Sequence, residues 1–194
     1  MNNDYIADKE FNNSDFKIRP FKKGDYESCR FTGCDFSGSD LSDVVFSDCE
    51  FSDCNLSLVK LVNTTLRDVQ FRDCKMLGLH FDDCNEFGLS FTFSNCILNN
   101  SSFYQKNIKN TTFSNCRLQE VDFAESNLSG STFDQCDLTD AVFENTNLEK
   151  ADLQSAYSFS IDPDRNKIKK AKFSVIGLPG LLRKYDIQIS NNVI

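Results

Sequence analysis

The sequence predicts a solenoid of four-sided coils, each taking twenty residues. Three observations predict it. From Phe93 to Leu153 every fifth residue is large and apolar: Phe93, Leu98, Phe103, Ile108, Phe113, Leu118, Phe123, Leu128, Phe133, Leu138, Phe143, Leu148 and Leu153. Two residues before each centre from Leu98 onward stands a small residue, such as Cys96, Ser101, Thr111, Cys116 or Ala141, with Lys106 as the one exception. Cysteines recur twenty apart, as Cys34, Cys54 and Cys74, as Cys96, Cys116 and Cys136, and as Cys29 and Cys49. A period of five fits neither the 3.6 of a helix nor the 2 of a strand, so a repeat architecture is required. Phe alternates with Leu or Ile along the run. Phe is therefore expected to stack on two opposite sides and Leu or Ile on the other two, like upon like.

Taken in order, residues 1–23 begin the beat imperfectly. Phe11, Phe16 and Phe21 keep it, but Lys9 and Arg19 stand where small residues belong and Pro20 interrupts. This segment is expected to be an irregular first coil acting as a cap, since end repeats of solenoids are atypical. The repeat proper spans 24–156. Its first run has centres from Tyr26 through Phe31, Phe36 and Leu41 to Phe81, with Leu79 oversized for a small position. Twelve residues then separate Phe81 from Phe93, where ten are expected. Glu86 falls at an apolar centre, and Phe87, Leu89 and Phe91 are surplus. The register break near 82–92 predicts a bulge or small loop dividing the helix in two, either a partner contact or a tolerated insertion that re-registers the coil. After Leu153, Ser158 replaces the next apolar centre. Tyr157–Lys170 reads as a connector with a turn at Asp162-Pro163, and Ala171-Lys172-Phe173 as a last repeat unit. In the tail, Leu178, Leu181, Leu182 and Tyr185 have helical spacing with Pro179 in the first turn, and Ile187 and Ile189 alternate as in a short strand.

Tandem units such as Thr146–Ser155, TNLEKADLQS, resemble the pentapeptide-repeat family over roughly Cys29–Ala156. The resemblance implies an all-β fold, a right-handed quadrilateral β-helix in which the centre and the residue two before it point inward. The ending is also similar to family members of the quinolone-resistance (Qnr) and microcin-immunity type, through SIDPDRNKIKKAKF (160–173) followed by GLLRKYDI (180–187). In those proteins a segment of this kind pairs two monomers end to end. The resemblance therefore implies a homodimer joined through 157–194, with Leu178, Leu181, Leu182, Tyr185 and Ile187 as its contacts.

The chain of 194 residues carries 29 acids and 21 bases, a net charge of −8, unevenly spread. Residues 24–156 hold 22 acids and 9 bases, whereas 157–194 hold 3 acids and 7 bases. An acidic body disfavours direct nucleic-acid binding, which needs phosphate neutralisation, and suits a partner with a basic surface. No basic-then-apolar leader and no membrane-length apolar stretch are present, so a cytoplasmic protein without membrane contact is expected. The nine cysteines then serve as small buried hydrophobes, and neither a metal nor another cofactor is expected. His80 has no nucleophile or ligand partner in the pattern, and no nucleophile elbow or phosphate-cradling loop occurs. The expectation is a non-enzyme with no small-molecule substrate.

Asp48 and Asp68, Asp53 and Asp73, and Asp43 and Asp83 are spaced by twenty, twenty and forty. Each set is expected to form a ladder with rungs about 4.8 Å apart. The body then carries one net charge per about 2.5 Å of rod, against about 1.7 Å in duplex DNA. Qnr-like proteins are held to mimic DNA, bind the type II topoisomerases DNA gyrase and topoisomerase IV, and protect them from quinolones. The resemblance implies that function here, with these six aspartates as partner-binding residues. Two differences stand out: the chain has a two-residue slip in place of the larger Qnr loops, and many relatives with similar endings have no established role. A generic protein-interaction scaffold is the alternative.

Overall fold

Two kinds of inward position and one kind of corner build the whole molecule. The computed structural model describes residues 4–190; the outermost residues of the expected cap (1–3) and tail (191–194) lie outside them. The chain winds as a parallel β-solenoid of about eight turns. We number its sides I to IV in chain order, with centres at Tyr26, Phe31, Phe36 and Leu41 in the second coil.

Side II is a continuous nine-stranded parallel sheet running from Glu10–Asn12 to Lys172–Phe173. Side I has four strands, Tyr5–Ala7, Asp25–Glu27, Val45–Ser47 and Thr65–Arg67. Sides III and IV are joined by single parallel bridges, such as Asp35↔Asn55 and Asp122↔Val142. The register is twenty throughout, except for twenty-two across the break, as in Phe71↔Phe93.

The centres fill the interior as the alternation predicts. On side II, Phe71, Phe93, Phe113 and Phe133 stack with centroids 5.3, 5.1 and 5.0 Å apart. On the opposite side IV, Phe81, Phe103 and Phe123 stack at 4.5 and 5.3 Å. The two columns meet edge to face, as Phe103 meets Phe113 at 85°, the arrangement ring quadrupoles prefer. From Phe93 onward Leu and Ile occupy sides I and III between them, whereas in the earlier coils Tyr26 and Phe46 stack on side I, Phe16 and Phe36 on side III, and Leu41 and Leu61 lie on side IV.

The small position has a chemical as well as a steric reason. Its side chain donates to the carbonyl of a centre in the coil below. Thr64 reaches Leu41 O at 2.8 Å, Thr146 reaches Phe123 O at 2.9 Å, and Cys34 and Cys54 reach Phe11 O and Phe31 O at 3.3 Å. These Thr and Cys side chains are thus buried with their donors satisfied, whereas the Ser39 hydroxyl, also at a small position, has no partner among the described residues. All nine cysteines are free and buried. Burial pushes the Cys49 and Cys84 thiols up to about 12.

At each corner, two residues after the centre, the backbone turns with positive φ. Asp, Asn and Gly recur there, including Asp8, Asn63, Gly78 and Asn110, because these residues tolerate the left-handed region. A second acidic position lies just before the centre. There Asp35, Asp40, Asn55 and Asp122 accept the N–H two residues on, at 2.8 to 3.2 Å. The repeat therefore selects Asp and Asn twice per unit for the backbone's sake.

The break is narrower than the sequence suggests. Side II runs straight through it, so the helix is not divided in two; only the side I sheet stops. Residues 86–89 step outward, and Ser90 rejoins by donating from its backbone N to Leu66 O at 2.9 Å. Of the three surplus apolar residues only Phe87 is spare, 76% exposed beneath the Arg67 guanidinium. Phe91 is buried as an oversized small-position residue packed on Phe81 and Phe103, and Leu89 packs partly against the core. Gly88 turns the loop with φ 72°.

The ladder also continues through the expected connector. Tyr157 bridges Asp137 and Lys167 bridges Asn147, and the turn forms with Arg165 N on Asp162 O at 3.2 Å. Phe159 enters the core in place of Ser158. The helical turn Pro179–Leu182 lies on it, where a Cβ at Gly180 would come within 2.6 Å of the Phe159 ring and carbonyl. No strand forms at Ile187 and Ile189: Asp186 turns left-handed at φ 48° after the 3₁₀ turn Arg183–Tyr185. No helix is long and apolar enough to cross a membrane among the described residues.

Candidate functional site

The fold separates the six predicted aspartates onto three edges. Asp48 and Asp68 stand on the edge between sides I and II, Asp53 and Asp73 between II and III, and Asp43 and Asp83 between IV and I. All six are exposed. Together they flank sides I and II over the second to fourth coils, rather than lining one side. Five of them, all but Asp83, are positive-φ corner residues. Several are also tied to neighbours. Asp43 Oδ1 accepts Asn63 Nδ2 at 3.0 Å, Asp68 Oδ1 accepts Ser90 Oγ at 2.9 Å, and Asp73 Oδ1 accepts Asn95 Nδ2 at 3.0 Å. Asp83 ends the 3₁₀ turn Phe81–Asp83.

Sorting the charges of 24–156 by side shows what spacing alone missed. Side IV with its edge carries Asp40, Asp43, Asp82, Asp83, Asp122, Glu125 and Glu144 against Lys60 as its one full cation. The other three sides are each closer to balance. The signal was present in the sequence, since counting charges by position modulo the coil finds it. His80 lies on this side, with Nδ1 3.3 Å from Asp82 Oδ1. Glu125 accepts Gln105 Nε2 at 2.7 Å and Glu144 faces Arg165 at 3.0 Å. Among the described residues no group of three or more His, Cys, Asp or Glu is arranged to hold a metal ion.

The tail forms the second candidate surface. Leu178, Tyr185 and Ile187 are exposed, whereas Leu181 and Leu182 are half-buried, Leu181 against the core. Val175 and Ile176, at 83% and 92% exposure, and Ile189 belong to the same surface, although helical spacing did not select them. A groove of about 490 Å³ runs between the tail and Tyr157–Phe159. Lys184 fastens the tail to the last coil, donating to Asp162 at 2.6 Å and to Asp164. Those two carboxylates hold its ammonium above the ordinary lysine range.

With the geometry in place, the relatives can be compared. The pentapeptide repeat region model matches residues 25–92 and 90–157. Two solved structures of QnrB1, a plasmid-mediated fluoroquinolone resistance protein, share the fold with TM-scores of 0.63. The trypsin-treated variant is 18% identical, covering 97% of this chain and 100% of that one. The full-length form is 17% identical, covering 95% and 100%. HetL, a pentapeptide repeat protein involved in heterocyst differentiation regulation from the cyanobacterium Nostoc, is 16% identical with a TM-score of 0.35, covering 89% of each chain. No curated protein sequence matches. The right-handed quadrilateral β-helix and the tandem repeat matches lead to one conclusion: the chain belongs to the pentapeptide-repeat family.

Proposed function

We propose that the protein is a non-enzymatic DNA mimic that binds a type II topoisomerase, DNA gyrase or topoisomerase IV, and protects it from quinolone-type inhibitors. The observation that carries this reading is the concentration of acid on side IV of 24–156, seven carboxylates against one lysine, six of the seven gathered on alternate coils about 9.6 Å apart at the strand spacing. Such a side offers a basic saddle regularly spaced negative charge, as a duplex does. The full-length fold likeness to QnrB1 supports the choice of partner. In this reading Asp43 and Asp83 contribute from the side IV edge, and Asp48, Asp53, Asp68 and Asp73 extend the field around sides I and II.

The test is a gyrase supercoiling assay with and without a fluoroquinolone, titrating the protein. Rescue of supercoiling at low protein is expected. Neutralising Asp122, Glu125 and Glu144 to their amides should raise the required concentration at least ~10-fold, the scale of losing three exposed charge pairs worth about 0.5 kcal/mol each. Changing Asp48, Asp53, Asp68 and Asp73 together to Asn should weaken it less. No effect of the wild-type protein on either enzyme would sink the proposal. The scaffold reading is favoured by one observation: five of the six predicted aspartates occupy corners where the backbone itself selects Asp or Asn.

Two copies are proposed to join through the tail. Six exposed apolar residues, Val175, Ile176, Leu178, Tyr185, Ile187 and Ile189, lie within fifteen positions, a clustering that marks an interface. Sedimentation should show twice the chain mass for the wild type and a single chain for Leu178→Asp combined with Ile187→Asp. A monomeric wild type would refute the dimer.

A further inference from the structure

We propose that the C-terminal half of side I is a docking surface for the sugar–phosphate backbone of duplex nucleic acid, held by Lys109, Lys150, Lys167, Lys169 and Lys170. Net charge argued against any such contact, but net charge averages over four sides that the coil separates. All five lysines point outward and are exposed. Bridges stack Asn107, Asn127, Asn147 and Lys167 up this side, and Lys150 N donates to Lys169 O at 3.0 Å. From Lys109 to Lys169 is three rungs, about 14 Å at the strand spacing. Glu149 is the one carboxylate on that stretch.

Among the described residues none of the five makes an ion pair, whereas nearby Lys172 pairs with Asp152 and Lys184 with Asp162. Of the side IV acids beside this stretch, Glu144 is paired with Arg165, and Glu125 accepts the neutral Gln105 amide and keeps its charge. Beyond about 8–10 Å, charges on other sides are screened at physiological salt. A backbone lying on side I therefore meets the lysines rather than the whole acidic rod.

The remaining surface says what kind of polyanion fits. Between the lysines stand Asn110, Asn127, Ser129 and Asn147, and no exposed large apolar side chain lies on this stretch. A protein partner is normally anchored by apolar and aromatic groups. Phosphate oxygens are held by Lys, Asn and Ser. Duplex nucleic acid fits better than an acidic polypeptide.

The test is fluorescence anisotropy of the full chain with a fluorescein-labelled mixed-sequence duplex of about 20 base pairs, from ~50 mM salt upward. Binding is expected, with a log–log salt slope of about −4, the value for roughly four to five neutralised phosphates. Lys167→Glu with Lys169→Glu and Lys170→Glu should cut affinity at least ~10-fold, with an unchanged circular dichroism melt. Lys75→Glu with Arg117→Glu, on side III, should change it less than about twofold. Three results would overturn the assignment: no binding at the lowest salt, equal binding by the triple variant, or poly-glutamate displacing the duplex as well as unlabelled duplex does. The topoisomerase reading can fail in the supercoiling assay without affecting any of these outcomes.

Discussion

Truncating Phe113 to alanine is expected to destabilise the solenoid by about 3–5 kcal/mol, the range for removing a fully buried aromatic ring from a packed core. Phe113 is wholly buried. It stacks on Phe93 at 5.1 Å and on Phe133 at 5.0 Å, both within 7° of parallel. It also meets Phe103 and Phe123 edge-on, each at 6.0 Å. One truncation thus opens contacts to two coils along the column and to the opposite side. The interior cannot close over the gap, because each coil's width is fixed by its four corners. In a solenoid, stability is a sum of coils and nearest-neighbour interfaces. A central defect therefore weakens two interfaces, and the urea midpoint should fall for the whole rod. Phe87→Ala, which removes a ring of the same size from an exposed loop, should leave the midpoint within about 0.5 kcal/mol of wild type. Equal effects from the two variants would mean that the aromatic columns do not hold the stack.

The fold was legible because its signal is periodic. Each inward position repeats its residue type, so one error cannot hide the pattern. What periodicity could not supply was the reason for a polar residue. Asp48 and Asp53 look like a chosen acidic ladder in one dimension. In three they are corner residues with φ of 52° and 55°, where Asp also serves the backbone. Net charge is ambiguous in the opposite way. The body's acidity conceals that side IV is acid-rich while side I turns basic toward its C-terminal end. Both ambiguities have one cause: a linear spacing of twenty says that two residues share a column, but not whether that column is a side or an edge. The tail was less legible, since it does not repeat. Its helical turn followed from Pro179 and leucine spacing, but Val175 and Ile176 are exposed by how Phe159 and Gly180 seat the segment.

The break shows most clearly what the sequence held without revealing it. Lys106 stood out as the one large, charged residue at a small position from Leu98 onward, and Glu86 as the one charge at an apolar centre. They are twenty residues apart, and the structure makes them a pair. In ordinary coils the carbonyl at the small position accepts a backbone N–H from the next coil, as Cys29 O accepts Glu50 N at 3.0 Å and Cys49 O accepts Gln70 N at 2.9 Å. At the break side I has stepped outward, and the Cys84 carbonyl receives the Lys106 ammonium at 3.1 Å in place of an N–H. Lys106 also reaches Glu86 Oε1 at 3.4 Å, and its side chain is buried. The lysine is thus a splint for a missing rung. Lys106→Glu is expected to cost about 3–5 kcal/mol, since it places an unpaired carboxylate in a buried position against the Cys84 carbonyl, beside the exposed Glu86. Lys106→Met keeps the stem but leaves the carbonyl unsatisfied, and should cost about 1.5–3 kcal/mol, the range for losing a charge-assisted hydrogen bond. Urea melts give both values, and limited proteolysis should cut first within 86–89 in each variant. A Met variant as stable as wild type would show that packing of the stem, and not the ammonium, closes the gap.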